Sequence, residues 1–262
     1  MHWPFSARLS VRSRLIVALD TDSTDEALNI VDQLKGEVGM FKVGKPLFMH
    51  AGLQLVKAIR DRGGEVFLDL KFHDIPRTVA KAAVEATRLG VRMLDLHASG
   101  SLEMMQRTIV EVTKVCRTES LRRPKMLAVT VLTSLDPSDL GRVGISGDLE
   151  DQVVRLARLA KEAGMDGVVT SPLEIAPIRE ACGRGFLIVS PGVRARNAAR
   201  DEQRRMLSPE AAIQAGADYL VVGRPIIEAR NPVSAARDIV AAMENAMEEA
   251  GAATKPKGPK GA

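Results

Sequence analysis

The sequence predicts a single α/β domain folded as an eight-stranded (β/α)8 barrel, the TIM barrel. Eight short apolar segments alternate with segments whose apolar residues recur at helical spacing, as in repeated βαβ units with parallel strands. The length of 262 residues fits such a barrel, which typically takes about 250. Aromatic residues make up only 3% of the chain, so the core is aliphatic, as expected for parallel strands buried on both faces.

The expected strands and helices follow one another along the chain. We predict strands at 15–20, 40–44, 65–71, 93–98, 125–132, 167–171, 186–191 and 219–223. Helical spacing is clearest at 27–34, 47–62, 79–89, 102–115 and 149–163. Gly63, Gly90 and Gly164 are expected to end three of these helices. An open doubly wound sheet is the rival fold, but no Gly-rich dinucleotide-binding loop follows the first strand.

Both ends of the chain are expected to lie outside the barrel. We predict a disordered extension at 1–14, a catalytic barrel domain at 15–250 and a disordered, low-complexity basic tail at 251–262. The six Lys and Arg residues of the two ends exceed the net charge of +4, so the body of the chain is slightly acidic. A body so close to neutrality gives no electrostatic sign of a nucleic-acid partner.

The sequence shows no sign of a membrane anchor or of export. No apolar segment approaches the roughly 18 residues of a membrane span, and the N-terminus lacks the apolar core of a secretory signal. Cys116 and Cys182 have neither CxxC nor metal-ligand spacing, which predicts free thiols. We therefore expect a cytoplasmic protein without a membrane partner.

Polar side chains recur where the predicted strands end. In a barrel of this type the carboxyl ends of the strands meet at one mouth, where the active site is built. We therefore expect one shared site from the following residues: Asp20, Lys42, Asp69, Lys71, Asp74, His97, Ser99, Thr133, Ser134, Ser171, Arg194 and Arg224.

The densest group of these polar residues lies at the end of the third strand. Asp69 and Lys71 are two residues apart, so their side chains are expected on the same face of the strand. With Asp74 they form an alternating Asp–Lys–Asp series, which favours a charged lysine. An ammonium can donate a proton but is poorly suited to Schiff-base chemistry. A purely structural buried ion pair is the alternative, and it is disfavoured because desolvation opposes such pairs.

Two later segments are typical of phosphate binding and of a lid. Gly223 allows close approach of a ligand to the backbone, and Arg224 adds a planar cation beside it. Phosphate sites after strands seven and eight are common in these barrels. The loop after strand seven, which includes Arg194 and Gln203, is longer than the usual ~2–6 residues. It is either a lid or a solvated insertion.

Several short motifs together identify a family. The segment DLKFHDIP, at 69–76, contains the pattern DxKxxD, and it is accompanied by IVALD, FKVG, HASG, VLTS, SPGVR and VVGR in a fixed order. In these motifs the chain resembles the orotidine 5'-phosphate decarboxylase family from about residue 15 to residue 238. DxKxxD alone is shared by a wider superfamily, whereas its combination with HDIP, PGVR and VGR is specific.

This resemblance implies a cofactor-independent decarboxylation of orotidine 5'-monophosphate to UMP and CO2, the last step of de novo UMP synthesis. It implies that Asp20 and Lys42 bind the ribose hydroxyls and that Lys42 also joins the charged network. Asp69 would face the substrate carboxylate, and Lys71 would protonate C6 as CO2 leaves. Neither a metal nor an organic cofactor is implied.

The resemblance also implies a homodimer with shared active sites. Asp74, as part of the catalytic group, and Thr78 would reach into the site of the partner subunit. Thr133 would lie near the pyrimidine, and Gln203 would bridge the base and the phosphate from the lid. The residues implied to hold the phosphate are Arg194, Gly223 and Arg224.

Three alternatives remain open at the level of sequence. A magnesium-dependent sugar-phosphate decarboxylase or hexulose-phosphate synthase of the same superfamily would be inhibited by a chelator. A non-catalytic phosphate-binding barrel would bind UMP without turnover, and a Schiff-base aldolase would be trapped at Lys71 by borohydride. His73 and His97 could serve as acid or base, but the resemblance gives neither a chemical role, and we expect packing or hydrogen bonding for both.

Overall fold

The computed structural model describes residues 10–193 and 207–253, and it confirms the predicted barrel. Eight parallel strands pair in chain order, and the last pairs with the first to close the sheet. The strands are β1 Leu15–Ala18, β2 Met40–Gly44, β3 Val66–Phe72, β4 Met93–His97, β5 Lys125–Val129, β6 Gly167–Val169, β7 Leu187–Ser190 and β8 Tyr219–Val222.

Helices follow the strands and cover the outside of the barrel. They are α1 Thr24–Leu34, α2 Lys45–Asp61, α3 Pro76–Arg88, α4 Leu102–Thr118, α5 Pro137–Arg142, α6 Leu149–Glu162, α7 Ile175–Cys182, α8 Pro209–Ala215, α9 Arg224–Ile227 and α10 Pro232–Ala253. Side-chain caps fix several helix starts; the Asp148 carboxylate, for example, accepts the Glu150 N–H at 2.7 Å. Gly63, Gly90 and Gly164 directly follow helix ends with positive φ, as predicted.

The barrel interior is filled by apolar side chains that alternate along the strands with residues facing the helices. In β4, for example, Met93 belongs to the interior cluster and Leu94 to the outer one. The interior cluster comprises Ile16, Ala18, Met40, Phe67, Met93, Leu127, Val129, Val169, Val189, Tyr219 and Val221. This packing fills the barrel beneath its carboxyl end, so the cavity available to a ligand lies at the mouth.

The boundaries drawn from sequence need correction at both ends. Residues Val11–Arg14, expected to be disordered, form a 3-10 turn, and Arg14 is buried. At the other end α10 continues to Ala253, beyond the expected limit of 250. Residues 1–9 and 254–262, which hold the rest of the two predicted extensions, lie outside the described residues.

Some predicted strands are too long at the carboxyl end. In the segment 125–132, strand pairing ends at Val129. The apolar residues Val131 and Leu132 lie beyond the strand and line the cavity at the mouth. Across the ranges 10–193 and 207–253, no helix is long and apolar enough to span a membrane. Cys116 and Cys182 are free thiols, as predicted.

Candidate active site

A cavity of about 260 Å³ opens at the carboxyl ends of the strands. Its floor is formed by interior residues such as Phe67, Val129 and Val221, and its walls carry the polar groups. The structure brings these sequence-predicted residues together around it: Asp20, Lys42, Asp69, Lys71, Thr133, Gly223 and Arg224. The mouth of the barrel is therefore the candidate active site.

A chain of alternating charges crosses one side of this cavity. The Lys42 ammonium lies 3.3 Å from Asp20 Oδ1 and 3.2 Å from Asp69 Oδ2. The other Asp69 oxygen, Oδ1, contacts the Lys71 ammonium. Lys42 is two residues from Met40, and Asp69 is two residues from Phe67, so strand alternation turns both charged side chains inward above apolar ones. Asp69 thus bridges two lysines.

The neighbouring charges keep this chain ionised despite its burial. Burial raises the pKa of Asp69, but the charges of Lys42 and Lys71 more than offset it and hold that pKa well below its usual range. Burial lowers the pKa of Lys42, and the Asp69 and Asp20 carboxylates reverse this, leaving the pKa above 10.5. The site therefore presents fixed charges at neutral pH, with little need for water to reorganise around them.

The backbone of β3 departs from regular strand geometry at the charged residues. Leu68 pairs with Leu94 and Phe72 with Leu96, so the three residues 69–71 face a single residue of β4. Lys71 has a φ of 48°, in the left-handed region that non-Gly residues seldom adopt. In a regular strand, residues two apart are separated by about 6.6 Å. The bulge accompanies the direct contact between the Lys71 ammonium and Asp69.

The segment predicted to bind phosphate lines the same cavity, after the strand that pairs with β1. A β-carbon at position 223 would lie 3.1 Å from Asp20 Oδ2, so glycine there leaves room beside that carboxylate. Arg224 is exposed at the start of α9 and lines the cavity, as does the half-buried Thr133. A basic group and an open backbone thus line the same cavity as the ammonium of Lys71.

Residues 13–239 match the family model described as Orotidine 5'-phosphate decarboxylase / HUMPS family. The chain belongs to this family. The match includes every strand of the barrel and confirms the resemblance carried by DLKFHDIP and the accompanying motifs.

Curated orotidine 5'-phosphate decarboxylases resemble the chain over most of its length. The enzyme of Syntrophotalea carbinolica is 52% identical over 241 residues, which are 92% of this chain and 99% of the relative. That of Pelobacter propionicus is 53% identical over 233 residues, 89% of this chain and 96% of the relative. The crystal structure of orotidine 5'-phosphate decarboxylase from Lactobacillus acidophilus matches with a TM-score of 0.77 at 35% identity, covering 87% of this chain and 98% of that one.

Two residues predicted for the orotidine 5'-phosphate decarboxylase site lie apart from the cavity of their own chain. Asp74 and Thr78 are exposed, and neither lines the cavity. Asp74 Oδ1 accepts the Ile75 N–H at 2.6 Å, and no ion pair joins Asp74 to Lys71 in the described part of the chain. Asp74 therefore does not pair with Lys71 within the described part of one chain, and its place in the Asp–Lys–Asp series stays a prediction.

Four further residues considered in the sequence are the two predicted lid residues and the two histidines. Arg194 and Gln203 fall in the segment 194–206, outside the described residues. The rings of His73 and His97 lie 5.3 Å apart at an angle of 36°. Burial, followed by the nearby positive charges, lowers the pKa of His97 to about 4. His97 is therefore neutral at pH 7, and the rings pack against each other.

One acidic residue beside the site lies away from the strand ends and was therefore not predicted. Asp95 lies in the middle of β4, is fully buried, and accepts the Lys71 N–H at 2.8 Å through Oδ1. It follows Met93 by two residues and so faces the barrel interior. In the sequence its signal is an acid among the apolar residues of the strand MLDLH, away from the strand end.

Proposed function

We propose that this chain decarboxylates orotidine 5'-monophosphate to UMP and CO2 without a cofactor, as the last step of de novo UMP synthesis in the cytoplasm. The names of the curated relatives, at about 50% identity over most of the chain, favour this reaction over the magnesium-dependent alternative. The observation that carries the proposal is the Lys71 ammonium in contact with the ionised Asp69 at the wall of the cavity.

The proposed reaction requires stabilisation of a carbanion that lies in the plane of the pyrimidine. The bond between C6 and the carboxylate breaks, CO2 leaves, and the electron pair stays on C6 without a π-system to receive it. The Lys71 ammonium stabilises this charge and then transfers one proton from Nζ to C6. The resulting neutral amine regains a proton from water. Because Asp69 and Lys42 hold the charges in place, the stabilisation requires little rearrangement.

The other charged groups have supporting roles in this proposal. Asp69 faces the substrate carboxylate and repels it before CO2 leaves. The Asp20–Lys42 pair at the rim of the cavity supports binding of the ribose hydroxyls. Thr133 lies near the pyrimidine. Burial of the ring in a cavity of about 260 Å³ excludes water and strengthens these interactions.

Phosphate binding is assigned to residues far from the reacting carbon. The open backbone at Gly223 and the guanidinium of Arg224 support this role from the described side of the cavity. Arg194 and Gln203 are proposed to complete it from the loop after β7. Binding energy from the phosphate can position the ring for reaction, although the phosphate itself does not react.

The proposed enzyme is a homodimer in which each subunit completes the site of the other. Asp74 and Thr78 are exposed at the start of α3, and the neighbouring Ile75 exposes 66% of its surface. An exposed apolar side chain between Asp74 and Thr78 is typical of a surface that a second copy of this chain covers. Asp74 of one subunit would then approach Lys71 of the other.

The proposed activity can be tested directly with purified protein. Loss of the ultraviolet absorbance of orotidine 5'-monophosphate is followed with EDTA present, and UMP is identified as the product. We expect the same rate with and without the chelator. Binding of UMP without any turnover would support a phosphate-binding barrel, and turnover abolished by EDTA would support a magnesium-dependent enzyme.

A further inference from the structure

Asp95 is a fully buried acid whose place in the barrel needs an explanation. Its side chain lies inside the barrel, two residues along β4 from Met93 of the apolar interior cluster. A buried carboxyl group is unfavourable unless it is neutral or well hydrogen-bonded. Its burial in such a place indicates that the carboxyl group makes a hydrogen bond that an apolar side chain could not make.

The group held by Asp95 is the backbone of Lys71. Asp95 Oδ1 accepts the Lys71 N–H at 2.8 Å. The register between β3 and β4 shifts here, since the three residues 69–71 of β3 face the single residue Asp95 of β4. The Lys71 N–H therefore bonds to a side chain of β4 in place of a backbone carbonyl. The same residue has the left-handed φ of 48°, which a lysine adopts only when its surroundings enforce it.

We propose that Asp95 is a positioning residue: its hydrogen bond to the Lys71 N–H holds the left-handed backbone from which the Lys71 ammonium reaches Asp69. Asp95 itself touches neither the substrate nor the reacting carbon. Its effect on catalysis rests on the proposed function, because it acts through the lysine that donates the proton. Its effect on the backbone is independent of that function.

The surroundings of Asp95 indicate that it does this as a neutral acid. Burial, and next the nearby Asp69 carboxylate, raise the pKa of Asp95 well above its usual range. Asp95 Oδ2 is buried and has no hydrogen-bond partner among the described residues, so no donor stabilises a negative charge on that oxygen. Its carbonyl oxygen then accepts the Lys71 N–H.

A neutral acceptor can be replaced by an amide, which defines the variants for the test. In Asp95→Asn the carbonyl oxygen can accept the Lys71 N–H at 2.8 Å as Oδ1 does, and the amide nitrogen takes the place of Oδ2. Asp95→Ala removes the acceptor. Asp218→Ala is a matched control: Asp218 is also buried and accepts a backbone N–H, that of Ile188 at 2.9 Å, but at the opposite end of the barrel.

The enzymatic test compares kcat, KM and thermal unfolding for wild type and the three variants. For Asp95→Ala we expect kcat to fall on the order of 10²-fold, because a misplaced reacting group loses rate while phosphate binding persists. KM should change by less than about threefold, since Arg224 is untouched. Asp95→Asn should retain kcat within about tenfold, and Asp218→Ala should lose stability but keep kcat.

The outcomes separate positioning from simple structural support. A folded Asp95→Ala with nearly wild-type kcat would overturn the proposal, as would an equal fall in kcat for Asp218→Ala. If Asp95→Ala does not fold, Asp95→Asn decides: a loss of kcat beyond about 10³-fold would mean that the negative charge, and not the acceptor, is required.

A crystal structure of Asp95→Asn and one of Asp95→Ala give a readout that does not depend on turnover. We expect Lys71 to keep its positive φ and its contact with Asp69 in the first variant and to lose both in the second. If wild-type protein does not decarboxylate the nucleotide, the proposed function fails, but these structures still test the positioning. An unchanged Lys71 in Asp95→Ala would overturn it.

Discussion

Removal of the Lys42 charge tests whether the buried chain of charges stabilises the fold. Only 13% of the Lys42 side chain and 11% of the Asp69 side chain are exposed, whereas Asp20 exposes 56%. At 3.2 Å and an effective dielectric constant of about 20, the attraction to Asp69 is about 5 kcal/mol. The exposed Asp20 contributes about 1 kcal/mol or less. Desolvation of the ammonium offsets several kcal/mol of this attraction.

The expected net loss for Lys42→Met is about 2 kcal/mol in the free energy of unfolding. Removing one partner of a buried ion pair usually costs about 3–5 kcal/mol, because the other charge is left unpaired. The loss is smaller here because Asp69 remains paired with the Lys71 ammonium. For a barrel of this size the melting temperature should fall by roughly 4–8 °C. Urea unfolding at pH 7 measures the free energy, and calorimetry measures the melting temperature.

The control for this prediction is an ion pair of similar geometry on the surface. Lys57 lies 2.6 Å from Asp61, and both side chains are largely exposed. Lys57→Met should change the free energy of unfolding by less than about 1 kcal/mol. If Lys42→Met lost no more stability than Lys57→Met, the argument that burial strengthens the charged chain would be refuted.

The effect of pH on Lys42→Met gives a second check with a definite sign. The folded-state pKa of Asp69 lies below its unfolded value, so ionised Asp69 adds stability above about pH 4 that disappears as the pH falls through the folded pKa. Without Lys42 the folded pKa rises, and less stability is available to lose. The difference between the variant and wild type should therefore be largest near neutral pH and shrink below about pH 4.

Three further predictions concern catalysis. Lys71→Ala should lower kcat by at least about 10³-fold while the affinity for UMP, measured by calorimetry, stays within tenfold; near-normal turnover would exclude Lys71 as the proton donor. Arg224→Ala should raise KM at least about tenfold, with a smaller effect on kcat, and unchanged steady-state kinetics would remove its assignment to the phosphate. Mixing inactive Lys71→Ala with inactive Asp74→Ala should restore about a quarter of wild-type activity, because half of the dimers then contain one complete site. Absence of any recovery after confirmed subunit exchange would contradict shared sites.

The fold could be predicted because its signals are local and repeated. Each apolar run and each helical segment can be recognised alone, and eight repetitions leave few alternatives to a closed parallel barrel. The ends of the strands were less certain, since an apolar residue can either continue a strand or line the cavity beyond it. Val131 and Leu132 continue the apolar run of β5, yet they line the cavity and are not part of the strand.

The candidate site could be predicted only as far as strand alternation and strand ends reach. Lys42 and Asp69 follow interior residues by two positions, so their convergence is a consequence of regular geometry. Asp74 is close to Lys71 in sequence, but β3 ends at Phe72 between them, and Asp74 is exposed in the short link before α3 begins at Pro76. Proximity along the chain is a poor guide where a strand ends and a helix begins.

The bulge in β3 was beyond sequence reasoning because it depends on two strands at once. Nothing in DLK alone shows that three residues will face a single residue of β4, and nothing in MLDLH alone shows that its acid will bind a backbone N–H. The contact between Asp95 and the Lys71 N–H becomes apparent only when the register of β3 against β4 is known. A buried acid at an interior position is a local conflict with the apolar pattern, and such conflicts concentrate where a protein places its chemistry. Asp95 and the left-handed Lys71 are such a conflict on adjacent strands, and together they set the direction of the proposed proton donor.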